Sequence, residues 1–460
     1  MKTFGSLRNI LFFIVGAAIV LIVCAWVGSL LAGGMRPRPV ANTGVSVDLS
    51  DRALIQRGSY VAALGDCAAC HTKQGGRPFA GGLPLATPIG KVYSTNITPD
   101  KNSGIGNYSL DDFARAVRTG VRRDGGTLYP AMPYPSYVQI SDNDLTALYA
   151  YFMHGVAPAD EPNRKTDIAW PLSLRWPLTY WRLLFAPGAK QAASTQVQAS
   201  TTSSASSLER GRYLVEGLGH CGSCHTPRGV ALQEIALTDS DGPAYLSGGI
   251  VDNYVANNLR ADDLSGLGRW KKEDIVRFLR EGRNTDTAAF GGMRDVVQHS
   301  TQYMTDADLD AIATYLMSLH PTSSNAQYKY VATSATALQK ADLTARGSID
   351  YLNSCAACHL SSGKGYSLTF PGLAGNPVVN SENPDSLINI VLNGSDEVTT
   401  VATPTRFTMP AFGDRLSDAQ VADVVTFIRS SWGNSAPAVD EKEVVRLRSQ
   451  TQVTVAKDHQ

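Results

Sequence analysis

The apolar positions of this chain form one unbroken run near the start and, beyond it, several stretches with helical spacing. Ile10 to Ala32 is 23 residues without a charge, roughly 34 Å as a helix and enough to cross a bilayer. Lys2 and Arg8 precede the run as cytoplasmic flanking charges should, and Arg36 and Arg38 follow it. A cleaved signal peptide is the alternative. The run is longer than an ordinary signal core, and Leu30 stands where a small residue would be needed before Ala32, so a retained anchor is the better reading. Cys24 follows Leu21-Ile22-Val23, without the small residue a lipoprotein site places before its cysteine.

Past Pro37 the helical patterns recur. Gly58-Ser59-Tyr60-Val61, Gly211-Arg212-Tyr213-Leu214 and Gly347-Ser348-Ile349-Asp350 each open a short predicted helix, an internal repeat. Three further helices are predicted from Ser141, Thr305 and Ser417, running through Phe152, Leu319 and Ile428. Each has a Ser or Thr at the N-cap, acidic residues in or beside the first turn, and apolar i, i+3, i+4 spacing. Gln191–Ser207, nearly all Ser, Thr, Ala and Gln, reads as a flexible linker, and Pro321–Gln339 as a second one. The charged stretch after Asp440 reads as a mobile or partner-bound tail.

The chemistry lies between the helices of each pair. Cys67-Ala68-Ala69-Cys70-His71, Cys221-Gly222-Ser223-Cys224-His225 and Cys355-Ala356-Ala357-Cys358-His359 all have the spacing of covalent c-type haem attachment. The two cysteines would take the thioether bonds and the histidine would ligate iron. The preceding glycine stands 9, 10 and 8 residues before the first cysteine. Six of the seven cysteines belong to these motifs, leaving only Cys24. A thioredoxin-like dithiol gives no reason for the histidine. Zinc would require two Cys-x-x-Cys pairs close together, and disulfides would make three identical histidines an accident. Three covalent haem c groups are therefore expected.

A sixth ligand is expected on a loop before each closing helix. Met132, in Tyr129-Pro130-Ala131-Met132-Pro133-Tyr134, lies nine residues before Ser141; Met409, in Phe407-Thr408-Met409-Pro410-Ala411-Phe412, lies eight before Ser417. A soft thioether held between prolines suits ferrous iron better than it suits a core-filling role. The second repeat leaves a choice: register favours Met293, 12 residues before Thr305, with Met304 and His299 as alternatives. A histidine there would lower the potential.

Length and charge agree with this picture. The 460 residues suit about three domains, and 41 basic against 41 acidic residues give no nucleic-acid-binding character. No nucleophile elbow, dinucleotide fingerprint or phosphate loop is present, so no catalytic residues are assigned. The pairs Gly75-Gly76 and Gly248-Gly249 read as turns around haem. The segment Trp170–Phe185 carries Trp170, Trp176 and Trp181 interleaved with Arg175 and Arg182. It suits either a membrane interface or partner contact, or a strap over the first domain.

Together these features make the chain resemble the triheme cytochrome c subunit of bacterial membrane-bound alcohol, aldehyde, gluconate and fructose dehydrogenases. The resemblance covers nearly all of residues 50 to 433. Beyond the haem motifs it rests on Tyr93-Ser94-Thr95-Asn96-Ile97-Thr98-Pro99-Asp100, Gly104-Ile105-Gly106, the Met132 hexapeptide and His225-Thr226-Pro227-Arg228. Gly266-Leu267-Gly268 and His299-Ser300-Thr301-Gln302-Tyr303-Met304 extend it into the second repeat. The expected fold is mainly α: three tandem class I-like cytochrome c domains behind one transmembrane helix. The expected layout is an anchor with its flanks at 1–40 and haem domains at 48–160, 208–320 and 341–434. Linking segments fill 161–207 and 321–340, and a polar tail occupies 435–460. The resemblance implies electrons passing from a molybdenum, quinoprotein or flavoprotein catalytic subunit through the haems to ubiquinone. The chain would have no substrate-oxidising site of its own. It would be a single-pass protein of the bacterial inner membrane with its haem domains in the periplasm. Alcohol dehydrogenase members are typically exported with a cleaved signal; a retained anchor points instead to the aldehyde type. Two rival functions stay open: donation to a haem-copper oxidase, and a haem enzyme such as a peroxidase with one open iron.

Overall fold

The computed structural model describes residues 14–17, 20–29, 47–186, 204–322 and 327–458. The described structure is mainly helical, with three small antiparallel sheets. Helical residues 14–17 and 20–29 fall within the apolar run Ile10–Ala32, the rest of which lies outside the described residues. Among the described residues no helix is long and apolar enough to cross a membrane.

By mutual contacts the chain divides into two compact units, Met1–Ser59 with Cys70–Gln196, and Tyr60–Ala69 with Val197–Gln460. In the first unit the closing helix Asp142–Ala150 is capped by the Ser141 side chain, which accepts from the Asp144 backbone N–H, and runs on into a wide turn at Tyr151–Gly155. The leading helix Arg52–Leu64 crosses it at Gly58. A Cβ there would stand 1.9 Å from the Ala147 carbonyl oxygen, so only glycine permits this approach. Arg57 fixes the crossing by donating to Asp144 from Nε at 3.1 Å and from Nη2 at 2.8 Å. Phe79, Phe113, Tyr151 and Phe152 form the aromatic core, with Phe79 edge-on to Phe152 at 5.2 Å between centroids. A sheet of Pro84–Thr87, Gly90–Tyr93 and Asp167–Ile168 completes the unit together with the helix Pro177–Phe185.

The second unit repeats this crossing twice. A Cβ on Gly211 would meet the Ala311 carbonyl oxygen at 2.0 Å, and one on Gly347 would meet that of Asp423 at 2.2 Å. The closing helices are Asp306–Ser318, capped by Thr305, and Asp418–Ser430, capped by Ser417. Arg210 grips Asp308 at 2.8 and 2.9 Å, and Arg346 pairs with Asp423 at 2.6 Å. The dipeptide Arg-Gly at 57–58, 210–211 and 346–347 therefore joins a charge clamp to a close backbone approach in all three repeats.

Two expectations need correction. The stretch 321–339 is not all linker: Thr333–Gln339 is helical, with Ala335 and Leu338 buried in the core of the third repeat. Its small polar composition disguised a packed helix. The C-terminal stretch is not a loose tail either, since Glu441–Asp458 is a helix whose Val444 and Leu447 are fully buried. Arg446 pairs with Asp385 and Arg448 with Asp418, each at 2.6 Å. Its charges serve ion pairs at the rim of an apolar contact, which composition alone conceals.

Candidate functional site

Each Cys-x-x-Cys-His motif forms a single helical turn after a leading helix: Cys67–His71, Gly222–His225 just after Cys221, and Ala356–His359 just after Cys355. In the first two repeats a left-handed residue, Asp66 (φ 50°) or His220 (φ 38°), reverses the chain immediately before the first cysteine. The six motif cysteines carry no disulfide. Burial pushes the Cys221 and Cys355 thiols up to about 12, and the Cys224 thiol up to about 11. The Cys221 and Cys224 pair is thereby a poor redox nucleophile at neutral pH, which argues against a dithiol exchanger at that motif. Among the described residues no group of three or more His, Cys, Asp or Glu could hold a metal ion by itself.

The histidines share one geometry. His71 Nδ1 lies 2.6 Å from the Thr95 carbonyl oxygen, His225 Nδ1 2.7 Å from that of Asn257, and His359 Nδ1 2.8 Å from that of Pro371. A carbonyl can only accept, so Nδ1 carries the proton and Nε2 is left with its lone pair. Burial lowers all three pKa values, against the opposing pull of these hydrogen bonds, and keeps the rings neutral. A neutral imidazole oriented through its far nitrogen is what an axial iron ligand requires. The backbone carbonyl of each histidine is also held, by Gly81 at 2.7 Å, Gly248 at 2.7 Å and Gly365 at 3.1 Å. All three glycines have positive φ. The residues present thus fit haem c: paired cysteines on one turn, followed by a histidine with a directed, available nitrogen.

The methionines are less uniform. Met132 sits in a tight turn, its N–H donating to the Tyr129 carbonyl and its own carbonyl accepting from Tyr134. Met409 lies in a two-residue strand opposite Ser395 and packs against the core that contains Cys355. Met293 does not occupy a loop but the first turn of the helix Gly292–His299, against Ala289, Val297 and Val398. His299 ends that helix, and Met304 is buried immediately before the Thr305 cap. The Trp-rich segment lies over the Met132 turn, with Trp181 edge-on to Tyr134 at 6.3 Å and Arg175 4.5 Å above the Tyr129 ring.

Sequence reasoning found the motifs but not the carbonyls of Thr95, Asn257 and Pro371. A signal existed for two of them. Thr95-Asn96-Ile97-Thr98 and Asn257-Asn258-Leu259-Arg260 precede Gly104-Ile105-Gly106 and Gly266-Leu267-Gly268 at the same distance.

Comparison with known proteins identifies the family. The family pattern described as cytochrome c matches residues 344–432, the third repeat. The chain is 55% identical over 406 residues to a gluconate 2-dehydrogenase cytochrome c subunit of Pantoea cypripedii, covering 87% of this chain and 91% of the relative. It is 50% identical over 406 residues to the cytochrome c subunit of an alcohol dehydrogenase (quinone) of Gluconacetobacter polyoxogenes, covering 87% and 85%. A fructose dehydrogenase cytochrome subunit of Gluconobacter japonicus is 37% identical over 442 residues, covering 91% and 87%.

Proposed function

The chain belongs to the cytochrome c subunits of bacterial dehydrogenase complexes, and from that premise we propose that it carries three haem c groups and relays electrons from a catalytic partner to ubiquinone. The observation that carries the proposal is the threefold motif with each histidine Nδ1 turned to a backbone carbonyl. Cys67 and Cys70, Cys221 and Cys224, and Cys355 and Cys358 would hold the groups covalently. His71, His225 and His359 would ligate the irons, together with Met132, Met293 and Met409. Bound haem supplies one-electron exchange at iron. Oxidising an organic substrate removes two electrons with protons, which needs a two-electron cofactor on the partner. The highest of the three identities reported above is to a gluconate-type subunit, which favours that partner over the aldehyde or alcohol type expected from the sequence. A quinone acceptor is supported by the description of the alcohol relative. The apolar run Ile10–Ala32 would anchor the relay at the periplasmic face of the inner membrane.

The test is turnover. The isolated cytochrome should oxidise no gluconate, alcohol or aldehyde, and the complex with its dehydrogenase should reduce a ubiquinone analogue. Turnover by the cytochrome alone, or a complex that reduces ferricyanide but no quinone, would overturn the proposal. Ligation is tested separately: Met132→Ala or Met409→Ala should each open one haem to carbon monoxide.

A further inference from the structure

Four buried polar atoms without a protein partner gather around the Met132 turn of the first unit: Tyr129 Oη, Tyr134 Oη, Arg175 Nε and Arg182 Nε. Two flank the methionine in sequence and two come from the segment that lies over it. The segment is held there by Arg175 Nη2 donating to the Thr127 carbonyl at 2.7 Å and by Thr127 Oγ1 facing Thr179 Oγ1 at 3.1 Å. Trp181 packs edge-on against Tyr134, which is fully buried. Among the described residues neither Arg175 nor Arg182 has a carboxylate within ion-pair distance. Burial lowers the pKa of both guanidinium groups. Both arginines are half-buried with the Nε atom fully buried, and a buried donor of a cation left without a partner is costly. Two such cations and two phenols converging on one turn point to an anion that the polypeptide does not supply.

We propose that Arg175 and Arg182, with the Tyr129 and Tyr134 hydroxyls, clamp the two propionate carboxylates of the haem attached at Cys67 and Cys70. The inference rests on the haem reading above. A planar guanidinium matches a carboxylate well, and a phenol donates one further hydrogen bond. Pairing the propionates with cations removes negative charge that would otherwise stabilise ferric iron, so the clamp raises the potential of this haem. The other pockets differ. The second repeat offers one unpartnered guanidinium atom, Arg294 Nε, while its Arg283 is already paired with Glu397 of the third at 2.6 Å.

The experiment is a spectroelectrochemical titration of the full-length holocytochrome, with covalent haem counted on the same samples. Arg175→Gln combined with Arg182→Gln should leave the haem count unchanged and move one of three redox components. At fixed potential its ferrous-to-ferric ratio should fall about tenfold, or about 59 mV for a one-electron couple. The double Arg→Lys variant should recover most of that shift. Tyr134→Phe, which keeps the packing, should shift the same component less, in the same direction. Wild-type protein with no haem at Cys67 and Cys70 would sink the underlying reading. Normal haem content with no component moving, or Lys variants shifting as far as Gln variants, would overturn the clamp itself.

Discussion

In the first and second repeats the carbonyl that accepts from the histidine sits in a turn that appears twice in nearly the same form. Asn96 Oδ1 accepts from the Thr98 N–H at 2.9 Å, and Asn258 Oδ1 from the Arg260 N–H at 2.8 Å. Ile105 and Leu267 then donate back to the Thr98 and Arg260 carbonyls. In the third repeat no such turn follows the acceptor directly; its own Asn turn, with Asn376 Oδ1 accepting from the Val378 N–H at 2.9 Å, comes five residues later. Its acceptor is Pro371, and the surrounding chain is pinned from a distance: Trp432 Nε1 donates to the Ser361 carbonyl at 3.0 Å, and Asn434 Oδ1 accepts from the Gly375 N–H at 2.7 Å. Tyr351, Phe427 and Trp432 pack together beneath it. The same histidine geometry thus rests on local turn hydrogen bonds in two repeats and on a tertiary aromatic cluster in the third.

Breaking the third arrangement should have the largest effect. Trp432 is almost fully buried, and Trp432→Ala is expected to cost about 3–5 kcal/mol. Thermal melts should show the loss in one transition, and covalent haem content should fall by one group, that at Cys355 and Cys358. The first two repeats should keep theirs.

The Arg-Gly clamps sharpen the comparison next. The Arg210 and Asp308 side chains are 25% and 9% exposed, those of Arg346 and Asp423 80% and 21%. Arg210→Ala should therefore cost about 2 kcal/mol, between exposed and buried pairs, and Arg346→Ala less than about 1 kcal/mol. Burial pushes the Asp308 pKa up, but the hydrogen bond and charge of Arg210 outweigh it and hold the carboxyl below its ordinary value. A depressed carboxylate pKa stabilises the fold above the unfolded value, about 3.9, and that stability is lost as pH falls through the folded pKa. The penalty of Arg210→Ala in denaturant melts should accordingly be full at neutral pH and shrink below about pH 4. The local turns give an effect between those of the two clamps. Asn258→Ala removes two hydrogen bonds, the one accepted from the Arg260 N–H and the one donated to Asp262 Oδ2 at 2.7 Å, and should cost about 1–2 kcal/mol, with covalent haem retained on mass measurement.

Much of this architecture was legible in the chain because its signals are short. A capping Ser or Thr before an apolar pattern locates Asp142–Ala150, Asp306–Ser318 and Asp418–Ser430 to within a residue or two, since cap and stripe act within two turns of helix. The repeated glycines could be seen, but their reason could not: contacts with Ala147, Ala311 and Asp423 join residues more than 70 apart. The same limit hid the C-terminal helix, whose Val444 and Leu447 become apolar contacts only once Asp385–Asn393 and Asp418–Ser430 have formed a groove for them. Met293 marks a different limit. Counting back from Thr305 assumes a loop of constant length, and the second repeat places a helix, Gly292–His299, where the first has a turn.

The central claim is that all three repeats attach haem. The direct measurement is the intact mass of the denatured full-length chain, expressed in a host with working c-type haem maturation. The account predicts polypeptide plus three haem groups, falling to two when Cys67 and Cys70, Cys221 and Cys224, or Cys355 and Cys358 are replaced by alanine. A wild-type mass with two haems or fewer would contradict it.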